Sequence, residues 1–279
     1  MAFSFNEATS GKESKTIVID ALNLAFRWKH QGRTDFRDDY VQTVRSLAQS
    51  YKCGNIIITA DWGSSSYRKG ILPEYKQNRK DKYETQTDAE KQAFIDFFDE
   101  YEGTLELLAE SFPVLRYQGV EADDLAAHLV KRKKEYGLEE IWLVSSDRDW
   151  DLLIQDGVSR FSYVTRKEVT INNWSEHYNV TPEEYISFKC LTGDKGDNVP
   201  GINGIGPKRA ESLIKDYGDA MTIYDNIPLD GKYKYIQELN ANAELLLTNY
   251  ELMDLVTYCD DAIGADNVSD IQRRMTNAD

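Results

Sequence analysis

Four separate hydrophobic runs in this chain each deliver carboxylates at or just beyond their C-terminal ends. Thr16-Ile17-Val18-Ile19 runs into Asp20, and Ile56-Ile57-Ile58-Thr59-Ala60 runs into Asp61. Val114-Leu115-Arg116-Tyr117-Gln118-Gly119-Val120 leads to Glu121, Asp123 and Asp124, and Ile141-Trp142-Leu143-Val144-Ser145-Ser146 leads to Asp147 and Asp149. Unbroken apolar runs of this length are expected of strands covered on both faces. Helix-periodic segments, such as 38–51 and 123–136, lie between them. Strand alternating with helix implies a parallel sheet with right-handed crossovers. The expected fold class is therefore α/β, a mostly parallel central sheet flanked by helices, with strands near 15–20, 55–61, 113–119 and 140–146 and weaker ones at 158–164 and 167–171.

Neighbouring strands of such a sheet bring their acids together in the crevice outside the carboxyl ends, where open α/β sheets place ligands. A further pair, Asp194 and Asp197, sits in the loop Gly193-Asp194-Lys195-Gly196-Asp197-Asn198. Two unit charges 4 Å apart repel by about 4 kcal/mol at an effective dielectric near 20. A cluster of nine such acids needs a compensating cation, and the pattern points to a divalent-metal enzyme.

A length of 279 residues is ample for a sizeable core. No apolar run approaches the roughly 18 residues a membrane helix requires. The first fourteen residues are polar and read as a loose leader; with no signal-peptide segment they imply a cytoplasmic protein. Cys53, Cys190 and Cys259 are isolated and odd in number, which suits reduced thiols better than disulfides or zinc. The net charge of −15 argues against a general polyanion binder. Local patches answer that objection: residues 66–82 hold six Lys/Arg against two acids, and Lys131-Arg132-Lys133-Lys134 is wholly basic.

About fifty residues separate Asp61 from Pro113, far more than a crossover helix needs. The first part is basic and aromatic, with Tyr75, Lys76, Arg79 and Lys80; the second, 87–111, is an acidic amphipathic helix pattern. Long insertions at the functional edge of a sheet tend to be lids or binding loops. After about residue 180 the strand pattern gives way to helices, and the last dozen residues read as polar and loose.

Individual motifs have bland alternatives. Asp20 or Asp61 alone could be a helix N-cap. Glu121 and Asp124 are three apart and share a helix face, so both can aim at one metal, although acids also suit a first helical turn. Ser146-Asp147-Arg148-Asp149-Trp150-Asp151 is not a calcium loop, because Leu152 and Val158 stand where such a loop needs glycine and glutamate. Asp151 is left facing solvent or capping the next helix. Gly201-Ile202-Asn203-Gly204-Ile205-Gly206-Pro207-Lys208-Arg209 follows a helix, not a strand, and lacks dinucleotide spacing. It fits a tight turn between helices, whose backbone N–H groups with Lys208 and Arg209 suit a nucleic-acid backbone. Tyrosines interleaved with cations around Tyr75 suit a single strand. His30, His128 and His177 receive no role.

Taken in order, Asp20, Asp61, Glu121-Ala122-Asp123-Asp124, Ser146-Asp147-Arg148-Asp149 and Gly193-Asp194-Lys195-Gly196-Asp197-Asn198 resemble the flap endonucleases. These are the 5′ nucleases of bacteriophages, bacterial polymerase I N-terminal domains and eukaryotic replication, and the chain is most similar to the stand-alone bacteriophage type. The likeness spans about residues 15–260. It implies one nuclease domain: an α/β core at 15–175 carrying a helical arch at about 66–112, then a helical DNA-binding region at 180–265 with a helix-three-turn-helix at Gly201–Arg209. It implies that Asp61, Glu121, Asp123 and Asp124 serve one metal, Asp147, Asp149, Asp194 and Asp197 a second, and Asp20 both through waters. Lys76 and Arg79 become arch cations at the scissile phosphate, with Asp147 and Asp149 grouped with them as catalytic. Arg27, Tyr75, Lys76, Arg79, Lys80, Gly204, Gly206, Lys208 and Arg209 become DNA contacts. Arg148 departs from the family, which usually carries glycine there.

The implied activity is structure-specific hydrolysis of DNA phosphodiesters by two Mg²⁺ ions about 4 Å apart, leaving 5′-phosphate and 3′-hydroxyl ends, in replication or primer removal. Mn²⁺ is expected to substitute, with K⁺ at the glycine-rich turn. The implied partners are branched or 5′-tailed DNA and RNA–DNA hybrids, with no membrane, and the expected state is a monomer. Two alternatives stay open: a PIN-type ribonuclease, which needs neither arch nor second helical region, and a non-catalytic nucleic-acid-binding subunit whose acids hold a structural cation. An aspartyl-phosphate phosphatase is excluded because Asp20-Ala21-Leu22 lacks the second aspartate.

Overall fold

The computed structural model describes residues 15–276, so the expected leader at 1–14 and the last three residues of the tail lie outside the described residues. Six strands form one sheet: β1 (Lys15–Asp20), β2 (Asn55–Thr59), β3 (Val114–Leu115), β4 (Glu140–Val144), β5 (Val158–Phe161) and β6 (Glu168–Val169). Their order is β3-β2-β1-β4-β5-β6, parallel except for the final antiparallel strand. The chain winds outward from β1 to β3, then returns across to β4. This reversal puts a topological switch point between β1 and β4, directly beside Asp20.

Alternation sorts the central strands between two cores. Val18, Ile57 and Leu143 face one side, and Ile17, Ile19, Ile58 and Val144 face the other. On the second side lie α1 (Ala21–Lys29) and α2 (Arg37–Ser50). The arch segment comprises α3 (Ser66–Ile71), which packs against the C-terminal helices, then α4 (Gln77–Glu84), and α5 (Asp88–Ala109), which returns to the second side. A reciprocal capping box between Thr87 and Glu90 starts α5, which buries Phe97, Tyr101, Leu105 and Leu108. By contrast α4 buries none of its residues.

The strand expected at 113–119 is only two residues long. Beyond Leu115 the chain leaves the sheet for the turn before α3: Gly119 N donates to Trp62 O at 2.7 Å, and Ser66 N to Gly119 O at 2.9 Å. Gly119 has φ +73°, and a Cβ there would meet Ser66 Oγ at 2.2 Å, so the turn requires glycine.

The first core is closed by α6 (Ala122–Lys131), which stops before the expected residue 136. The basic run beyond it is spent on structure: Lys131 and Arg132 pair with Asp260, and Lys133 Nζ donates to Asp156 O at 2.6 Å.

The helical region comprises α7 (Tyr185–Thr192), α8 (Pro207–Tyr217), α9 (Ala220–Asp225), α10 (Lys234–Ala241), α11 (Glu244–Met253), α12 (Leu255–Ile263) and α13 (Ala265–Thr276). Between α7 and α8 a short hairpin pairs β7 (Gly193–Asp194) with β8 (Val199–Pro200). Its backbones are pressed together: a Cβ on Gly193 would meet Gly201 N at 2.2 Å, and one on Gly201 would meet Thr192 O at 2.2 Å. Pro207 takes the first turn of α8, where its missing N–H costs nothing. The tail expected to be loose is instead helical, because Ile271 and Met275 are four apart and bury against the sheet-side core with Cys259 and Ile263. Among the described residues none of the three cysteines forms a disulfide, and no helix is long and apolar enough to cross a membrane.

Candidate active site

Register brings the acids together. Asp20 ends β1 opposite Thr59 of β2, two residues before Asp61, while Ile19 pairs with Val144 of β4, three before Asp147. Asp20 caps α1 through Asn23 N at 3.2 Å and accepts from Ser145 Oγ at 2.6 Å. Asp61 accepts from Ala122 N at 2.7 Å, and Asp123 from Trp150 Nε1 at 2.5 Å. Burial, then the charge of Asp61, pushes the Asp20 carboxyl up to about 8. Burial also raises Asp61, and burial with Asp147 holds Asp123 well above the usual range. Asp149 is pushed up to about 6, chiefly by burial.

Two buried ammonium groups offset part of this charge. Lys76 Nζ lies 2.9 Å from Glu121 Oε1 and 3.5 Å from Asp197 Oδ2. Lys189 Nζ bridges Asp149 and Asp194, at 2.5 and 2.9 Å. Burial would lower both lysines, but the facing carboxylates outweigh it and raise them. For Glu121 and Asp194 burial pulls upward, and the neighbouring cations hold both below the ordinary range. Lys189 is 6% exposed on a helix otherwise occupied by Cys190 and Leu191 in the core. Sequence reasoning missed it, although a lysine on a buried helical face five residues before Asp194 was a usable signal.

The arch closes over this cluster. Lys76 N donates to Asp197 O at 2.9 Å, Asn78 Nδ2 to Lys195 O at 2.9 Å, and Arg79 Nη2 to Asp197 Oδ1 at 2.5 Å. Lys76, Arg79 and Lys80 line a cavity of about 540 Å³ with Asp61, Trp62 and Lys69.

Three expectations are corrected. Asp124 does not aim at the crevice with Glu121: it is fully buried, and both its oxygens accept from Arg68, at 2.8 and 2.7 Å. Arg68, expected only as part of the basic patch, instead neutralises the ninth acid. Tyr75 offers no ring for stacking, being 3% exposed with its hydroxyl donating to Glu121 Oε2 and Asp197 Oδ2, each at 2.9 Å. Asp151 neither faces solvent nor caps: it is buried against Arg160 at 2.5 and 2.8 Å. Each correction has one cause, the high cost of burying a charge or hydroxyl without a partner.

The other DNA-contact candidates are dispersed. Arg27 lies over Tyr163 at 4.4 Å, on the β5 side of the sheet away from the arch. Gly204 (φ +81°) and Gly206 form the turn before α8; Arg209 Nη1 folds back onto Gly204 O at 2.5 Å, while Lys208 is exposed.

Among the described residues no three acidic, histidine or cysteine side chains are already gathered as a metal cage. The donor chemistry nevertheless fits hard divalent cations: Asp20, Asp61, Glu121, Asp123, Asp147, Asp149, Asp194 and Asp197 offer only carboxylate oxygen, with no sulfur or imidazole. Four of them are raised by burial, the state expected of a site whose charge awaits a cation.

Residues 15–180 match the family described as 5′-3′ exonuclease, N-terminal resolvase-like domain, and residues 180–276 match the 5′-3′ exonuclease, C-terminal SAM fold. The chain belongs to the 5′-3′ exonuclease family. It is 44% identical over 261 residues to the flap endonuclease of Escherichia phage T5, covering 93% of this chain and 89% of that one. DNA polymerase I of Mycobacterium tuberculosis is 34% identical over 260 residues, of which the chain spans only 27% of the length. A crystal structure of the T5 flap endonuclease in a pseudo-enzyme-product complex with DNA and metal ions superposes with a TM-score of 0.90 at 42% identity, covering 94% of this chain and 98% of that chain. Zinc-bound T5 5′-exonuclease gives the same TM-score at 43% identity. The family match over both halves displaces the PIN-type reading, which accounts for neither the arch nor the helical region.

Proposed function

We propose that this 5′ nuclease cuts branched or 5′-tailed DNA at the acid cluster with Mg²⁺, acting as a flap endonuclease and 5′→3′ exonuclease. The observation that carries the reading is the convergence of eight carboxylates on the β1–β4 switch point, with Lys76 and Lys189 inserted among them. Asp61, Glu121 and Asp123 would hold one divalent cation, and Asp147, Asp149, Asp194 and Asp197 a second; when bound, these would supply the charge that activates an attacking water and stabilises a departing 3′-oxygen.

The chain's own residues do the rest. Lys76 and Arg79, on the wall of the arch-side cavity, place positive charge where a pentavalent phosphate accumulates negative charge. Substrate entry exchanges their bonds to Glu121 and Asp197 for bonds to phosphate. The cavity, with half-exposed Trp62 and exposed Lys80, takes the 5′ single strand. The N-terminal end of α8, with Lys208 and the amides of Gly204 and Gly206, holds the duplex backbone without reading bases. Branch shape then selects the substrate.

The test is cleavage of a 5′-end-labelled flap duplex with Mg²⁺ and with EDTA, comparing the native chain with Asp147→Ala/Asp149→Ala. Cutting near the branch is expected only for the native chain with Mg²⁺, and the double variant should lose more than about a thousandfold, since one lost electrostatic contact alone costs 10²–10³. A native chain that binds the flap but cuts with no divalent ion would replace this reading with a binding subunit.

A further inference from the structure

On the side of β4 away from the arch, the structure holds a second cavity of about 160 Å³. It is lined by Arg148, Arg160, Lys167 and His177, with the hydroxyls of Ser162 and Thr165, and no carboxylate lines it. In a chain of net charge −15 such a concavity is conspicuous. Arg160 forms its floor, 5% exposed, with its charge committed to Asp151 and one nitrogen donating to Ser145 O at 2.9 Å. Arg148 and Lys167 are different: both are exposed, and among the described residues neither side chain has an ion pair or hydrogen bond. Around the acid cluster Lys76, Arg79 and Lys189 are all paired.

The walls are held in place. Lys167 lies at the end of the β5–β6 turn, where Ser162 N donates to Lys167 O at 2.9 Å and Arg166 N to Ser162 O at 2.9 Å. Ser146 Oγ accepts from Val164 N at 3.2 Å and from Ser162 Oγ at 3.0 Å, tying that turn to the end of β4. Arg27 and Arg166 flank Tyr163 at 4.4 and 4.3 Å, so the positive edge continues along the same turn. Arg148 joins the cavity to the acid cluster, standing between Asp147 and Asp149 in the chain.

We propose that this cavity is an anion subsite for a single backbone phosphate of the DNA, on the flank of the cleft opposite the arch, with Arg148 and Lys167 as its ligands. Unpaired cations over hydroxyl donors suit a phosphodiester oxygen pair, and continuity with the acids through Arg148 favours a phosphate of bound DNA over a free anion. The proposal rests on the 5′ nuclease reading.

The experiment measures binding of a fluorescein-labelled 5′-flap duplex in EDTA across a KCl titration, alongside cleavage of the same duplex with Mg²⁺. For Arg148→Ala/Lys167→Ala, binding should weaken about tenfold and the slope of log K against log salt should fall by about one, the value of one lost phosphate contact. Either single variant should lose only part of that slope, because the remaining cation still faces the shared phosphate, and Lys167→Arg should keep all of it. An unchanged slope in the double variant, with native binding and cutting intact, overturns the subsite alone, whatever the affinity does. A native chain that neither binds nor cuts the flap overturns the nuclease reading itself. Thermal melting of each variant separates lost contact from lost fold.

Discussion

The two halves of the acid cluster each contain a buried ammonium group, yet the elements delivering it could hardly differ more. Lys189 projects from α7 beside Cys190 and Leu191, both wholly inside the helical core. Lys76 sits at the entrance to α4 in a left-handed conformation (φ +56°), without a side-chain cap, on a helix that buries nothing. Non-glycine residues adopt that conformation only when their surroundings impose it, and here its own N–H bond to Asp197 O helps to do so. One counter-charge is a fixture of the core; the other stands where the chain passes from buried Tyr75 into a helix with no buried residue, the kind of element that opens locally at little cost. Similar chemistry on supports of unequal stability lets one half stay assembled while the other responds to substrate.

The largest expected effect comes from removing the fixed charge. Lys189→Met leaves Asp149 and Asp194 facing each other without compensation, and breaking a buried pair costs about 3–5 kcal/mol. A urea titration should show that loss, with added Mg²⁺ recovering much of it. Lys76→Met should lower the cleavage rate by about 10²–10³ while moving the urea midpoint less than half as far as Lys189→Met. Equal loss of stability in the two variants would break the comparison.

The third expected effect is a pH dependence of the metal-free chain. Asp20, at about 8 against an ordinary 3.8, is protonated when folded and ionised when unfolded across most of that interval. Asp149, at about 6, behaves likewise over a narrower interval. Stability carried by a raised acid is complete below its unfolded value and is lost as pH climbs to the folded one. The lowered acids, Glu121 and Asp194, work in the opposite sense, but only below their ordinary 4.5 and 3.8. Buried His128, lowered from its ordinary 6.5, also works in the opposite sense until that pH. In EDTA the urea midpoint should therefore fall from pH 6.5 to pH 8, and a divalent cation should flatten the curve. A metal-free midpoint that rises or stays level over that range would contradict the burial assigned to Asp20.

The central strands and most of the acid cluster were legible because both are local signals: an apolar run, then a carboxylate within a few residues. The long connection before Pro113 was legible from its length alone. What escaped were partnerships across sequence. Arg68 meets Asp124 at a separation of 56 residues, and Lys189 meets Asp149 at 40, so nothing near either acid announces whether it is spent on a cation or free for a ligand. Tyr75 was misplaced for the same reason, because its burial depends on two acids from distant loops. The tail was a different failure: Val268, Ile271 and Met275 carry a helical stripe that polar neighbours diluted.

The hairpin of β7 and β8 joins the acid loop to the glycine-rich turn with no slack. Its backbones touch at Gly193 and Gly201, and Asn249 Nδ2 closes it from outside by donating to Cys190 O at 2.9 Å and Pro200 O at 2.8 Å. On the proposed reading, the turn grips duplex and the loop presents Asp194 and Asp197 to the phosphodiester. The interval between grip and cut is then a length of main chain, a gauge block that no rotamer can stretch. Surface drift at Lys208 or Arg209 would retune how firmly DNA is held while leaving untouched how many nucleotides from the junction the blade falls.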